Sequence, residues 1–162
     1  AASETVLLNL KSESFAPVIL RFATVFGLSG RTRFDLVVNL LTAKAYVDKN
    51  MTVFGAEQTR PFIHVSDAAE SIICAMKKNR ELVSGEIYNI GGSQLNYTLL
   101  ELANLIKERV PDSFITIENA NEDARNYNVC FDKAFNDLSF APKFSLEDGI
   151  DQVVNKFKKA SG

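Results

Sequence analysis

The sequence predicts an α/β or α+β domain. Segments whose apolar residues recur at helical spacing alternate with short apolar runs that are typical of strands. Of the 162 residues, 46% are hydrophobic and 23% are charged, a balance typical of globular proteins that bury a core. The helices and strands do not follow each other as a regular βαβ series, so the pattern by itself leaves both fold classes open.

The first predicted elements are a helix and a buried strand. Residues 3–14 carry apolar residues between charged ones, and Pro17 cannot continue such a helix, so we expect it to end near Ser14. Residues 17–22 form a short apolar run typical of a buried strand. The small residues and the glycine of 23–27 indicate that this strand then turns into a loop.

A basic loop leads into the second predicted helix. Residues 28–33 are polar and basic, and residues 34–48 place leucine and valine side chains at helical spacing. Residues 51–55 then predict a short strand.

Arg60 begins a segment with a distinct chemical character. A proline follows it, residues 62–65 alternate as a strand, and Ser66 with Asp67 predicts the N-cap of a third helix that ends near Lys78. A guanidinium on such a restrained backbone suits bidentate contact with a phosphate or a carboxylate. The alternative is a surface arginine before an edge strand, with no functional role.

The next predicted elements are a strand and a capped helix. Residues 86–90 alternate as a strand that ends at two glycines, and a polar linker over 92–97 follows. Thr98 and Glu101 have the spacing of a capping box, which predicts a helix from this point to about Val110.

The last part of the chain predicts two short strands and a final helix. Residues 113–118 and 128–131 have strand-like patterns, separated by the polar residues 119–126. Ser145 begins the last predicted helix. The apolar face of this helix contains Ile150, Val153, Val154 and Phe157.

Charge and composition exclude several classes of function. The net charge of −2 and the absence of a polybasic run argue against a nucleic-acid or membrane-surface partner. No apolar run is long enough to span a membrane, so we expect a small-molecule or protein partner. Cys74 and Cys130 lack the spacing of a metal or redox motif, so we expect no metal site, and we interpret both as reduced core thiols of a cytoplasmic protein.

Three residues whose side chains can carry protons have surroundings that favour structural roles. His64 lies inside an apolar strand, which is typical of a hydrogen-bonded histidine in a core rather than a catalytic one. Tyr88 and Tyr127 are not followed by lysine at the Tyr-x-x-x-Lys spacing, so we expect them to pack rather than to act as acids.

Four segments resemble, in order, motifs of the C-terminal half of the extended short-chain dehydrogenase/reductase family, which contains the nucleotide-sugar epimerases and dehydratases. They are residues 20–27, 60–67, 86–91 and 123–125, which are similar to the family's Leu-Arg-x-x-Asn-Val-Tyr-Gly, Arg-x-Phe-Ile-x-Val-x-Asp, Tyr-Asn-Ile-Gly and Asp-x-Arg segments. The resemblance implies that residues 1–162 form the last strands of a Rossmann-type parallel sheet and a small mixed α/β subdomain that binds substrate.

The resemblance also implies a set of site residues. The substrate surface would contain Thr24, Phe34, Leu36, Asn39, Val53, Phe54, Arg60 and Arg125, and Ala23 with Val25 would lie beside the nicotinamide of the cofactor. Arg60 and Arg125 would clamp the two phosphates of a nucleotide-sugar. Thr24 stands where the family usually has asparagine, so it keeps a hydroxyl and loses an amide. For Asn39, a solvent-facing or helix-satisfied side chain is an equal alternative to a substrate contact.

The chemistry of the family needs parts that this sequence lacks. It has neither the Gly-x-Gly-x-x-Gly turn that holds a dinucleotide nor the catalytic Tyr-x-x-x-Lys pair, and we interpret its start as lying just after that lysine. We therefore expect no catalytic residue here, NAD or NADP bound by the full-length protein, and an inactive chain that binds neither cofactor on its own. Uncovered faces would favour a homo-oligomer. The alternative is a non-catalytic nucleotide-sensing or protein-interaction module.

Overall fold

The computed structural model describes residues 2–119 and 129–160, and it confirms the α/β class. The strands are β1 (Ile19–Phe22), β2 (Thr24–Phe26), β3 (Asn50–Phe54), β4 (Thr59–His64), β5 (Ile87–Ile90), β6 (Asn96–Thr98) and β7 (Phe114–Glu118). The helices are α1 (Ala2–Asn9), α2 (Val37–Val47), α3 (Val65–Lys77), α4 (Arg80–Val83), α5 (Leu99–Arg109), α6 (Asp132–Leu138) and α7 (Leu146–Ala160), with a 3₁₀ turn at Ser93–Leu95.

The strands pair in three small groups, and most of the pairs are parallel. β1 runs parallel to β5, β2 parallel to β4, and β3 parallel to β7, while β6 lies antiparallel on the other edge of β4. In the β2–β4 pair Phe26 lies opposite His64, so both strands end at the same edge. Ligand sites of parallel sheets lie outside the carboxyl ends of the strands, so this edge is where a site is expected.

β4 separates two hydrophobic cores, because alternate side chains of a strand point to opposite faces. Phe62 is fully buried in the core that also contains Met51 and Leu102, and the neighbouring Ile63 is fully buried in the core that contains Tyr88. Helices α2, α5 and α7 cover the first core, and α3 and α6 cover the second. The strand that carries the predicted arginine segment is therefore rigid over its second half.

The first helix is shorter than expected and lies on the surface. α1 ends at Asn9 rather than near Ser14, and it buries none of its residues. Apolar side chains of α1, of the residue directly after it and of α3 face solvent. They include Val6, Leu7, Leu10, Ile72, Ile73 and Met76.

The joint between β4 and α3 corrects the predicted N-cap. The helix is capped by His64, whose Nδ1 accepts a hydrogen bond from the backbone N–H of Ser66 at 3.2 Å. Asp67, expected to share the capping role with Ser66, is 1% exposed in the first turn and accepts a hydrogen bond from the backbone N–H of Phe144. The cap is an imidazole because long-range packing places the ring there.

Several other boundaries differ from the predictions. β1 occupies only the second part of the strand predicted over 17–22, and the turn predicted over 23–27 contains β2. β6 begins inside the linker predicted over 92–97, and residues 34–36 precede α2 rather than belong to it. α4 and α6 were not predicted, and residues 129–131 do not form a strand. Cys130 is exposed and Cys74 is half-buried, so the interpretation of both as core thiols is wrong for Cys130.

Two helix predictions are confirmed at the level of contacts. The Thr98 hydroxyl accepts from the backbone N–H of Glu101, and the Glu101 carboxylate accepts from the backbone N–H of Thr98, which is the predicted capping box. α7 buries Ile150, Val153 and Val154 on one face. In the described residues, no helix is long and apolar enough to cross a membrane.

Candidate functional site

A cleft of about 430 Å³ opens where β2 ends and the chain turns toward α2. It is called the first cleft below. Its walls are formed by Ala23, Thr24, Val25, Phe26, Gly27, Ser29, Arg31, Arg33, Leu36, Asn39 and Val65. The strand supplies the small and hydroxyl-bearing residues, and the following loop supplies two guanidinium groups.

Gly27 forms the corner of this cleft, and its position requires glycine. Its φ of 97° lies in the left-handed region, and a Cβ built on it would lie 2.4 Å from Nε2 of His64. Any side chain here would therefore displace the histidine that caps α3. The turn after β2 therefore lies directly against the ring of His64.

Asn39 attaches the loop to this corner. Its Oδ1 accepts a hydrogen bond from the N–H of Gly27 at 3.1 Å, and its Nδ2 donates to the carbonyls of Gly27 at 3.2 Å and Arg33 at 3.0 Å. The side chain is 2% exposed. Asn39 is thus hydrogen-bonded within the protein, as in the alternative to a substrate contact, but its partners are Gly27 and Arg33 rather than groups of its own helix.

The two arginines of the cleft differ in their electrostatic environment. Arg33 makes a two-pronged contact with the carboxylate of Asp35, which raises the pKa of Arg33 and lowers the pKa of Asp35. Arg31 has no acidic partner among residues 2–119 and 129–160. Arg31 is therefore the guanidinium of this cleft that remains available to an anion.

A second cleft of about 240 Å³ shares Ala23 and Thr24 with the first. Its other walls are Arg21, Phe22, Pro61, Asn89, Val129 and Phe131. Arg21 is engaged by Glu4, with Nε 2.7 Å from Oε1, and this contact lowers the pKa of Glu4 to about 2 and raises that of Arg21. Thr24 thus lines both clefts. In the second cleft the charge of Arg21 is neutralised by Glu4, whereas the first cleft contains Arg31.

The structure brings together only part of the predicted site. Ala23, Thr24, Val25, Leu36 and Asn39 all line the first cleft, although Asn39 is already bonded to the loop. Leu36 is the N-cap residue of α2, so the start of that helix forms part of the cleft wall. Five of the predicted site residues thus line one cleft, and their roles in binding stay predictions.

Other predicted residues lie elsewhere. The ring of Phe34 packs against Phe157 of α7, with ring centroids 5.9 Å apart, and Val53 is 2% exposed in the first core. Phe54 is 56% exposed at the end of β3. The guanidinium of Arg60 donates to the carbonyl of Thr59 and to Oε1 of Gln58, and Arg125 lies outside the described residues. The two-arginine clamp therefore stays a prediction.

Sequence reasoning missed the loop as a source of site residues. Ser29, Arg31 and Arg33 line the cleft, yet the segment was interpreted only as a polar and basic loop. A usable signal was present, because Arg31 and Arg33 stand four and six residues after the glycine at a strand end, the edge where ligands of parallel sheets bind. The sequence alone does not show which of the two arginines Asp35 engages, and the structure shows that it is Arg33.

The first cleft suits one part of a nicotinamide cofactor. Ala23 and Val25 offer small apolar contacts, which fit a flat ring. The sequence contains no glycine-rich turn for the pyrophosphate. In the part of the chain that the structure describes, no three His, Cys, Asp or Glu side chains are grouped to hold a metal ion. The residues present could therefore contact the ring of such a cofactor, and the sequence offers no turn for its pyrophosphate.

Comparison with known proteins gives consistent matches. The model of the NAD dependent epimerase/dehydratase family matches residues 1–91. UDP-glucuronic acid decarboxylase 1 of Arabidopsis thaliana is 33% identical over 150 residues, a match that covers 88% of this chain and 33% of that protein. UDP-glucuronate 4-epimerase of Thermodesulfobacterium geofontis is 27% identical over 146 residues, covering 87% of this chain and 43% of that protein.

Solved structures are similar over nearly the whole chain. UDP-glucose 4-epimerase of Thermotoga maritima, solved with UDP-glucose, has a TM-score of 0.83 and 27% identity, covering 99% of this chain and 52% of that one. UDP-glucuronic acid 4-epimerase of Bacillus cereus, solved with UDP-glucuronic acid and NAD, has a TM-score of 0.75 and 26% identity, covering 91% and 46%. The chain spans about a third to a half of the length of these proteins.

Proposed function

The chain belongs to the NAD dependent epimerase/dehydratase family, and from this premise we propose that residues 1–162 are the part of a sugar epimerase or dehydratase that binds the nucleotide-sugar. In such an enzyme NAD or NADP supplies the acceptor for a hydride from the sugar. The residues of this chain bind and orient the sugar, because the sequence contains neither the dinucleotide turn nor the Tyr-x-x-x-Lys pair. On its own the chain is inactive and binds the cofactor negligibly.

The observation that carries this proposal is the first cleft at the end of β2. Thr24 lies in the wall shared by both clefts. Its hydroxyl can donate and accept hydrogen bonds, which suits contact with a sugar hydroxyl or a carboxylate. The start of α2 at Leu36 and the guanidinium of Arg31 both favour negative charge in the same space. A nucleotide-sugar offers phosphates and sugar hydroxyls of this kind.

The substrate that we propose is an acidic sugar, a nucleoside diphosphate linked to a uronic acid. Arg31 can form two parallel hydrogen bonds to a carboxylate, and no acidic side chain of the described residues competes for it. Relatives named as UDP-glucuronate enzymes support the same class. A neutral sugar would leave this guanidinium without a partner in the cleft.

Calorimetry tests the proposal with UDP-glucuronate and UDP-glucose as matched ligands. We expect Arg31→Ala to weaken UDP-glucuronate binding by about 10- to 100-fold, the effect of losing about 1.5 to 3 kcal/mol of hydrogen bonding to a charged group, and to affect UDP-glucose less. Arg33→Ala is the control in the same loop, and we expect a change of a few-fold because Asp35 already engages that charge.

The outcomes separate the parts of the proposal. Equal losses for both sugars would place Arg31 on the phosphates and contradict the acidic-sugar class. Binding of neither UDP-sugar to the wild-type chain would contradict the proposed function. Micromolar binding of NAD by this chain would contradict the division between substrate-binding and cofactor-binding parts.

The arginine clamp of Arg60 and Arg125 belongs to the same proposal. Replacing either residue by alanine in a protein that also binds the cofactor should weaken nucleotide-sugar binding by about 1.5 to 3 kcal/mol and leave cofactor affinity nearly unchanged. Equal loss for both ligands would instead assign these side chains to the fold. The cytoplasmic location and the homo-oligomer also stay predictions.

A further inference from the structure

We propose that Asn39 is a positioning residue, whose carboxamide holds the cleft loop, residues 28–36, against the end of β2 and thereby keeps Arg31 at the first cleft. The geometry assigns this role because the side chain joins two points of the chain that lie six residues apart. One is Gly27 at the strand end, and the other is Arg33 within the loop. The inference concerns how the cleft is built rather than what touches the ligand.

The hydrogen-bonding capacity of Asn39 is committed to the protein. Both amide hydrogens are used, one on the carbonyl of Gly27 and one on the carbonyl of Arg33, and the amide oxygen accepts from the N–H of Gly27. The residue lies in the first turn of α2 and is 2% exposed. A ligand in the cleft would have to displace one of these bonds to reach the amide group, so a contact with substrate is the weaker assignment.

Among the described residues, the other side-chain hydrogen bonds of the loop are internal to it. Ser29 and Thr32 bond to each other, with the Thr32 hydroxyl accepting from the N–H of Ser29 and donating to its carbonyl, and Arg33 bonds to Asp35. These contacts give the loop its internal shape. They do not attach it to the strand.

The attachment therefore comes from two ends of the loop. At its far end the ring of Phe34 rests on Phe157 of α7. The carboxamide of Asn39 ties Arg33, the neighbour of Phe34, back to the near end of the loop at Gly27, which lies against the ring of His64. Loss of the carboxamide releases the segment that carries Arg31, while the packing of α2 through its buried valine and leucine side chains remains.

Limited proteolysis with trypsin reads this loop directly, because Arg31 and Arg33 are cleavage sites within it and both are exposed. In Asn39→Ala we expect native-state cleavage after these two arginines to be about tenfold faster than in the wild type, the expected consequence of losing the loop's anchoring hydrogen bonds. Cleavage at other lysines and arginines should change much less.

Thr42→Val is the matched control. Thr42 is also buried in α2, and its hydroxyl donates to the carbonyl of Val38 at 2.7 Å, so its loss disturbs the helix one turn from the loop without touching it. We expect this variant to lower stability without selective cleavage at Arg31 and Arg33. Asn39→Ser, which keeps a small polar group, serves if the alanine variant does not fold.

Two results would overturn the inference. One is unchanged cleavage in Asn39→Ala or Asn39→Ser, with the fold verified by circular dichroism. The other is an equal acceleration at these sites in Thr42→Val, which would show a general loss of stability instead of a local release.

The consequence for binding rests on the proposed function, so it is measured separately. Asn39→Ala should weaken UDP-glucuronate binding about as much as Arg31→Ala does, whereas Arg31→Ala should leave tryptic cleavage after Arg33 slow. Selective loop cleavage without binding of any UDP-sugar to the wild type would support the loop inference and contradict the proposed function. Binding that is insensitive to Asn39, with selective cleavage, would contradict the part of the inference that keeps Arg31 at the cleft.

Discussion

The histidine beneath the cleft provides the sharpest stability prediction. His64 is 1% exposed, its Nδ1 accepts from the N–H of Ser66, and its Nε2 lies 3.0 Å from Oε1 of Gln152 in α7. Since Nδ1 accepts, the proton is on Nε2, which donates to the glutamine oxygen. The ring also stacks on Phe144, with centroids 4.3 Å apart. His64→Phe keeps an aromatic ring in this space and removes both hydrogen bonds.

The expected loss follows from these two bonds. Removing a helix N-cap costs about 1 kcal/mol, and removing a hydrogen bond to a half-buried amide costs about 1 kcal/mol more. We therefore expect His64→Phe to lower the free energy of unfolding by about 2 kcal/mol. Gln152→Ala should lower it by about 1 kcal/mol, because it removes only the second bond.

Urea unfolding of the wild type, the two single variants and the double variant measures the coupling between these side chains. We expect a coupling energy of about 1 kcal/mol between His64 and Gln152. Asn155→Ala, at an exposed position of the same helix, is the control and should change stability by less than about 0.5 kcal/mol. A coupling near zero, or a phenylalanine variant as stable as the wild type, would refute the structural role assigned to the histidine.

Two further predictions concern packing and pH. A Cβ on Gly149 would lie 2.4 Å from the ring of Phe26, so Gly149→Ala should lower stability by about 1 to 3 kcal/mol. Gly30→Ala meets nothing within 4 Å and should change the urea midpoint little; equal effects would contradict the packing. Arg21 lowers the pKa of Glu4 from 4.5 to about 2, so this contact contributes stability above pH 4.5 that is lost as the pH falls to about 2. Melting temperatures across this range should depend on pH less steeply in Glu4→Gln, and identical slopes would contradict the assignment.

Features that depend on neighbouring residues could be predicted from the sequence. The capping box of α5 needs only Thr98 and Glu101 at a fixed spacing, and the apolar face of α7 needs only its own periodicity. The order of four short motifs, from residues 20–27 to residues 123–125, indicated the family resemblance, which the match to the family model over residues 1–91 confirms.

Features that depend on distant residues could not be predicted. The cap of α3 comes from His64 because Phe144 and Gln152, about 80 residues later in the chain, fix its ring. β2 and β6 are three residues long, too short for alternation to be recognised. Such elements exist because β4 lies between them and pairs with both.

The candidate site also contains residues that were expected from the sequence and residues that only the structure reveals. Thr24 and Leu36 line the first cleft, and both were expected from the family resemblance, because the local pattern predicted a turn at Thr24 and a helix that already contained Leu36. Phe34 turns away because Phe157 offers an aromatic partner from α7, and Arg31 stands out only once Asp35 is seen to engage Arg33. The tertiary fold determines which charged group or aromatic ring each of these side chains contacts.

We propose above all that the first cleft binds a nucleotide-sugar. Titration of UDP-glucuronate into ¹⁵N-labelled protein, followed by amide chemical shifts, tests it most directly. We expect saturable shifts that concentrate at Thr24, Gly27 and Arg31 and that shrink in Arg31→Ala. Shifts that concentrate elsewhere, or no shifts at millimolar ligand, would contradict it.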